Sequence, residues 1–149
     1  MSLKDDLNNA LKEAMRANDA IRKNTLRLAL SAIKLAEVEK QEDLDDAAVT
    51  AILQKEVKSR KETQVDAEKA GRQDMIAEAA DEIKVLEEYL PEAMSEEDLI
   101  ALVKATIEEV GASSPADMGK VMGALMPKVQ GRADGGQLSA LVRQQLQGS

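Results

Sequence analysis

A few groups of side chains in this 149-residue chain have the types and spacing to do chemistry. Ser59 stands beside Lys58 and near Lys61, a serine–lysine combination that could supply a nucleophile and a base. No nucleophile-elbow pattern surrounds it, and a solvated helix face explains it better. The stretch Glu42-Asp43-Leu44-Asp45-Asp46 could hold a divalent cation. Its spacing is not that of an EF-hand loop, and acids there also favour a helix N-terminus. One pattern occurs twice, as Gly71-Arg72-Gln73-Asp74 and Gly131-Arg132-Ala133-Asp134. In each, the glycine can end one helix in the left-handed conformation and the aspartate can cap the next. The arginine has no such duty. It either packs back on helix-end carbonyls or presents a planar donor fork to phosphate or carboxylate.

Cations gather in three places. Residues 16–34 carry Arg16, Arg22, Lys23, Arg27 and Lys34 against the single acid Asp19. Residues 55–61 carry Lys55, Lys58, Arg60 and Lys61 against Glu56. Residues 115–149 carry Lys120, Lys128, Arg132 and Arg143 against Asp117 and Asp134, a net +2 in a chain of net charge -8. Such clusters are ordinary surface charge or a basic face for structured RNA or an acidic protein. The overall acidity disfavours tight, non-specific binding of a polyanion.

Composition removes much else. Histidine and cysteine are both absent, which excludes His general bases, Cys nucleophiles, disulfides and Cys/His zinc sites. The glycines stand as isolated stops, so there is no phosphate loop or dinucleotide fingerprint. No cofactor and no metal are expected. No apolar run approaches the ~18 residues of a membrane span, and no membrane association is expected. The opening Met1-Ser2-Leu3-Lys4-Asp5-Asp6 has no apolar core for a secretory signal, so a cytoplasmic location is the expectation. Tyr89 is the sole aromatic residue, so the core must be built from aliphatic side chains and methionine.

Helical periodicity runs through nearly every segment, and no strand alternation is evident. Helix one is expected over about 3–17, on Leu3, Leu7, Leu11 and Met15. Helix two, about 20–41, has two apolar stripes: Leu26, Ala29, Leu30 and Ile33 on one face, and Ile21, Leu28 and Leu35 on another. Two stripes predict a helix packed on both sides. Helix three, about 46–70, has Val49, Leu53 and Val57, after which its stripe falls to Arg60, Gln64 and Ala67. That second half reads as polar nearly all round and is expected to project from the core or meet a partner. Helix four, about 74–90, ends at Pro91. Helices five (about 96–110), six (from Ser114-Pro115) and seven (about 135–147) follow. The expectation is an all-α protein, with a four-helix N-terminal lobe over 1–92 and a three-helix C-terminal bundle over 93–149. A bundle of that size without aromatics is only marginally stable alone.

Six short segments, taken in order, resemble the YqeY family. They are Thr25-Leu26-Arg27; Lys55 with Lys58-Ser59-Arg60; Ala70-Gly71-Arg72; Tyr89-Leu90-Pro91 with Ser95-Glu96-Glu97; Met118-Gly119-Lys120-Val121-Met122; and Gly131-Arg132-Ala133-Asp134-Gly135. Each is weak alone, and their order and spacing carry the resemblance over essentially the whole chain. The family also resembles the C-terminal tail of GatB, a subunit of glutamine-dependent tRNA amidotransferases. The resemblance implies a helical N-terminal lobe, a three-helix C-terminal lobe and a link to tRNA-dependent amidation. The carbon–nitrogen ligase label of the family, with glutamine as amide donor, is inherited from GatB. Nothing in this chain corresponds to the catalytic cradle of GatB. Gly136 stands where a lysine often follows Gly135, and Gly123-Ala124 follow Met122 without another base; both thin the basic surface.

The expected function is therefore a stand-alone binding module for tRNA or a translation-related protein. Its candidate contacts are Arg132, Lys120, Lys128 and Arg143 in the C-terminal lobe, with Arg27, Lys55, Lys58 and Arg60 in the N-terminal lobe. The alternatives are a component of a glutamine-dependent carbon–nitrogen ligase and a structural adaptor that binds only protein.

Overall fold

A computed structural model describes residues 2–129 and 131–148. They form α1 (Leu3–Arg16), α2 (Ala20–Lys40), α3 (Asp46–Lys69), α4 (Gln73–Glu87), α5 (Glu96–Val110), a 3-10 turn (Pro115–Asp117), α6 (Met118–Val129) and α7 (Gly135–Gln147). There is no strand among the described residues, and the protein is all-helical as its periodicity predicts.

Local chemistry sets most of the helix ends. Ser2 closes a capping box on α1, accepting from the Asp5 amide at 3.1 Å while its own amide donates to the Asp5 carboxylate at 3.3 Å. Asp19, Asp45, Ser95 and Asp134 cap α2, α3, α5 and α7, each accepting from the backbone N–H three residues on. Gly71, Gly111 and Gly131 follow α3, α5 and α6 with φ of 69°, 68° and 80°. The helix α2 instead ends on Gln41, held left-handed at φ 58°.

The chain divides into two compact units, Met1–Leu90 and Pro91–Ser149, each with its own aliphatic core. In the first, Leu7 of α1, Leu26 and Ile33 of α2, Leu53 of α3 and Leu86 of α4 are fully buried. Each such side chain contributes roughly 1.5–3 kcal/mol on leaving water. Tyr89, just past α4, packs on the rim of this core. In the second, Leu99 and Val103 of α5 meet Val121 and Leu125 of α6 and Leu138 and Val142 of α7.

Two expectations within the first unit need correction. The second half of α3 does not project: Arg60 and Ala67 are buried, and Gln64 Nε2 donates to the Ile76 carbonyl of α4 at 3.4 Å. A polar stripe can face a neighbouring helix when that neighbour supplies the partners. Nor is α2 packed on both sides. Its Leu26–Ala29–Ile33 stripe is buried, whereas Leu28 and Leu35 on the other stripe are 57% and 61% exposed. Helices α1, α3 and α4 all lie against the inner stripe's unit core, leaving the outer one uncovered.

Candidate nucleic-acid interface

The eight candidate cations separate into three kinds once their surroundings are known. Arg60 belongs inside the fold. It is 8% exposed; its Nε donates to Glu82 Oε2 at 2.7 Å, and one terminal nitrogen donates to Glu56 Oε2 at 2.6 Å and to the Glu56 carbonyl at 3.1 Å. The guanidinium thus joins one turn of α3 to α4 and cannot also face a phosphate. Its expected role as a nucleic-acid contact is withdrawn, because it is buried with its Nε and one terminal nitrogen held by two carboxylates.

Arg132 and Lys128 are exposed or half-exposed but engaged. Arg132 Nε donates to the Glu92 carbonyl at 2.8 Å, and Met94 N donates to the Arg132 carbonyl at 3.1 Å. The arginine thus has a local duty that its sequence context does not reveal: it ties the segment before α5 to the junction between α6 and α7. Lys128 Nζ bonds to the Glu109 carboxylate and, at 3.3 Å, to Thr106 Oγ1, so it bridges α6 to α5.

Lys120, Arg143, Arg27, Lys55 and Lys58 are exposed and make no ion pair with the described residues. Lys120 and Arg143 lie on α6 and α7 of the second unit. Arg27 lies on α2 and Lys55 and Lys58 on α3 of the first. Near Lys120, the Asp117 carboxyl is held below its ordinary range by the Ser113 and Ser114 amides.

The twin Gly-Arg-x-Asp junctions prove unlike. Asp134 caps α7 as expected, but α4 begins at Gln73, so Asp74 sits inside its first turn and not at its cap. There it pairs with Arg72 through contacts of 3.0 and 3.1 Å, and that arginine holds the Asp74 carboxyl below its ordinary range. The acidic run Glu42–Asp46 is used structurally: Asp45 caps α3, and Asp46 Oδ1 accepts from the Leu3 amide at 2.9 Å. Ser59 is exposed, and no hydrogen bond joins its hydroxyl to Lys58 or Lys61.

Two ion pairs went unforeseen. Arg22 makes a two-pronged pair with Glu88 at 2.7 and 2.8 Å, binding α2 to the residues just past α4. Lys4 Nζ contacts both oxygens of Glu37 at 2.7 and 3.0 Å, and Glu37 also accepts from the Leu44 amide at 3.0 Å. Neither pair is close in sequence, so no spacing rule could find them. The i,i+4 spacing of Glu56 and Arg60 was a signal, and it was available.

The family model described as Yqey-like protein matches residues 4–146, and the chain belongs to the YqeY family. Among curated relatives, a protein of Kluyveromyces lactis is 37% identical over 77% of this chain and 62% of its own length. One of Lachancea thermotolerans is 33% identical over 74% and 61%, and one of Pyrenophora tritici-repentis 31% over 83% and 68%. All three bear the name "Altered inheritance of mitochondria protein 41, mitochondrial". The chain's match thus spans about three fifths of the first two relatives. The expectation of a cytoplasmic location is overturned by these relatives, which are named as mitochondrial proteins. It rested on the lack of a secretory core, and that lack says nothing about an organelle.

Proposed function

We propose that the chain works by binding and not by independent catalysis, and that Pro91–Ser149 is its tRNA-facing domain. On this reading the molecule has a four-helix domain and a three-helix domain, and serves tRNA-dependent amidation or translation as the resemblance to the GatB tail implies. The observation that carries the reading is electrostatic. Within a unit that is net -3, the segment 115–149 is net +2, and its Lys120 and Arg143 are exposed and make no ion pair among the described residues. The absence of histidine and cysteine from the whole sequence supports a role without turnover of its own.

Filter binding of bulk tRNA at low and rising salt tests this. The Lys120→Ala/Arg143→Ala variant is expected to bind more weakly and to lose roughly one to two phosphate equivalents from the salt slope. No retention of tRNA by the intact chain at low salt would overturn the reading. An adaptor that binds only protein is the second reading, favoured by the uncovered face of α2.

A further inference from the structure

The outer face of α2 is apolar and exposed, with cations along one edge as far as Ala36 and exposed Glu39 beyond it. Ile21, Leu28, Leu35 and Val38 are 38%, 57%, 61% and 65% exposed. Ile21, Leu28 and Leu35 recur every seventh residue, with Asn24, Ser31 and Val38 between and beyond them. At 100° per residue all six fall within about a third of a turn, on the side opposite buried Leu26, Ala29 and Ile33. The stripe is roughly 26 Å long at 1.5 Å per residue, enough for several turns of a second helix. Arg27 and Lys34 stand exposed along one edge. From Ala20 through Ala36 the chain carries Arg22, Lys23, Arg27 and Lys34 and no acid, although the whole protein is net -8.

We propose that this face docks an amphipathic α-helix of another protein, one with an apolar heptad seam and acidic residues along its flank. This is independent of the tRNA reading, which concerns the other unit. Charge selects the occupant. A second copy of α2, packed antiparallel, would bring Arg27 and Lys34 against the same cations of its twin. RNA would gain nothing from the aliphatic centre of the stripe, because bases stack on aromatic or guanidinium planes and the six stripe residues supply neither; the one guanidinium nearby, Arg27, stands at the edge. An acidic-flanked helix satisfies both the seam and the edge.

The probe is a synthetic helical peptide of three heptads, with Leu and Ile at the seam and Glu at the flanking positions. Its partner is the same peptide with Lys in place of Glu. Like-charge repulsion keeps each from pairing with itself. Titration of the full-length chain, followed by fluorescence anisotropy of the labelled peptide, is expected to show binding of the Glu peptide and not of the Lys peptide. Leu28→Ser/Leu35→Ser should weaken it about tenfold or more. Arg27→Glu/Lys34→Glu should reverse the preference. All four side chains are exposed, and far-UV circular dichroism of each variant verifies that the fold is kept. Equal affinity for both peptides, or none for either, overturns the proposal. So does a dimer of the unliganded chain that Leu28→Ser/Leu35→Ser abolishes, or a loss of tRNA binding in that variant.

Discussion

Arg132 Nε lies 2.8 Å from the carbonyl oxygen of Glu92, forty residues earlier in the chain. The bond closes the second unit on its own entry segment, and Met94 N returns a bond to the Arg132 carbonyl. A residue that context marked as a spare phosphate ligand therefore carries structural work.

Arg132→Ala is expected to lower stability by about 0.5–1.5 kcal/mol, the net worth of one hydrogen bond. The Met94 bond uses backbone only and survives. Urea denaturation followed by far-UV circular dichroism measures the change. An unchanged midpoint would mean that the Glu92 carbonyl is satisfied as well by water.

Replacing Arg60 should do far more damage. Arg60→Ala strands the Glu56 and Glu82 carboxylates, each about a quarter exposed, against each other without their shared cation. A broken buried pair costs about 3–5 kcal/mol, and the partial exposure of the acids puts the expected loss at about 2–4 kcal/mol. The triple variant Glu56→Gln/Arg60→Met/Glu82→Gln removes all three charges and should recover much of that loss. Thermal unfolding of the two variants side by side separates charge stranding from lost packing.

Acid should loosen the first unit. Lys4 and the Leu44 amide hold the Glu37 carboxyl below its ordinary value of 4.5, and Arg22 does the same for Glu88. A folded-state pKa below the unfolded one means that the stabilisation is fully present above the unfolded value. It is lost as pH falls through the folded one. Melting temperature is expected to fall below about pH 4.5, and Lys4→Met/Arg22→Met should flatten that acid limb. The Leu44 bond to Glu37 persists in the variant, so some slope remains.

Backbone conformation gives a pair of opposite predictions. Gln41 is left-handed at φ 58°, a conformation that strains a residue with a Cβ. Gln41→Gly should stabilise the protein by about 0.5–1 kcal/mol in thermal melts. Gly111 at φ 68° has open space around the site of a Cβ, so Gly111→Ala meets no clash. It should still cost about 1–2 kcal/mol from backbone strain alone.

The helices were legible because caps, stops and apolar spacing agree at nearly every end, from Ser95 and Asp134 to Gly71 and Gly111. The candidate site was less so. Arg60 read as part of a polar face because a sequence does not disclose that Glu82, twenty-two residues on, waits across α4. Asp74 and Asp134 share a motif and part ways through a shift of helix start by two residues, below the resolution of pattern reading. The outer stripe of α2 looked like core because periodicity reports apolarity, whereas cover depends on how many helices the fold can place around it.

Tyr89 packs against the core of Met1–Leu90, and burial pushes its phenol pKa up. It is also the sole aromatic residue of the chain. Near-ultraviolet absorbance and tyrosine emission therefore report on the first unit alone, while Pro91–Ser149 is optically silent there. A melt read by tyrosine emission and one read by backbone dichroism are two different experiments on this molecule, and any gap between their midpoints is a direct measure of how independently the two units unfold.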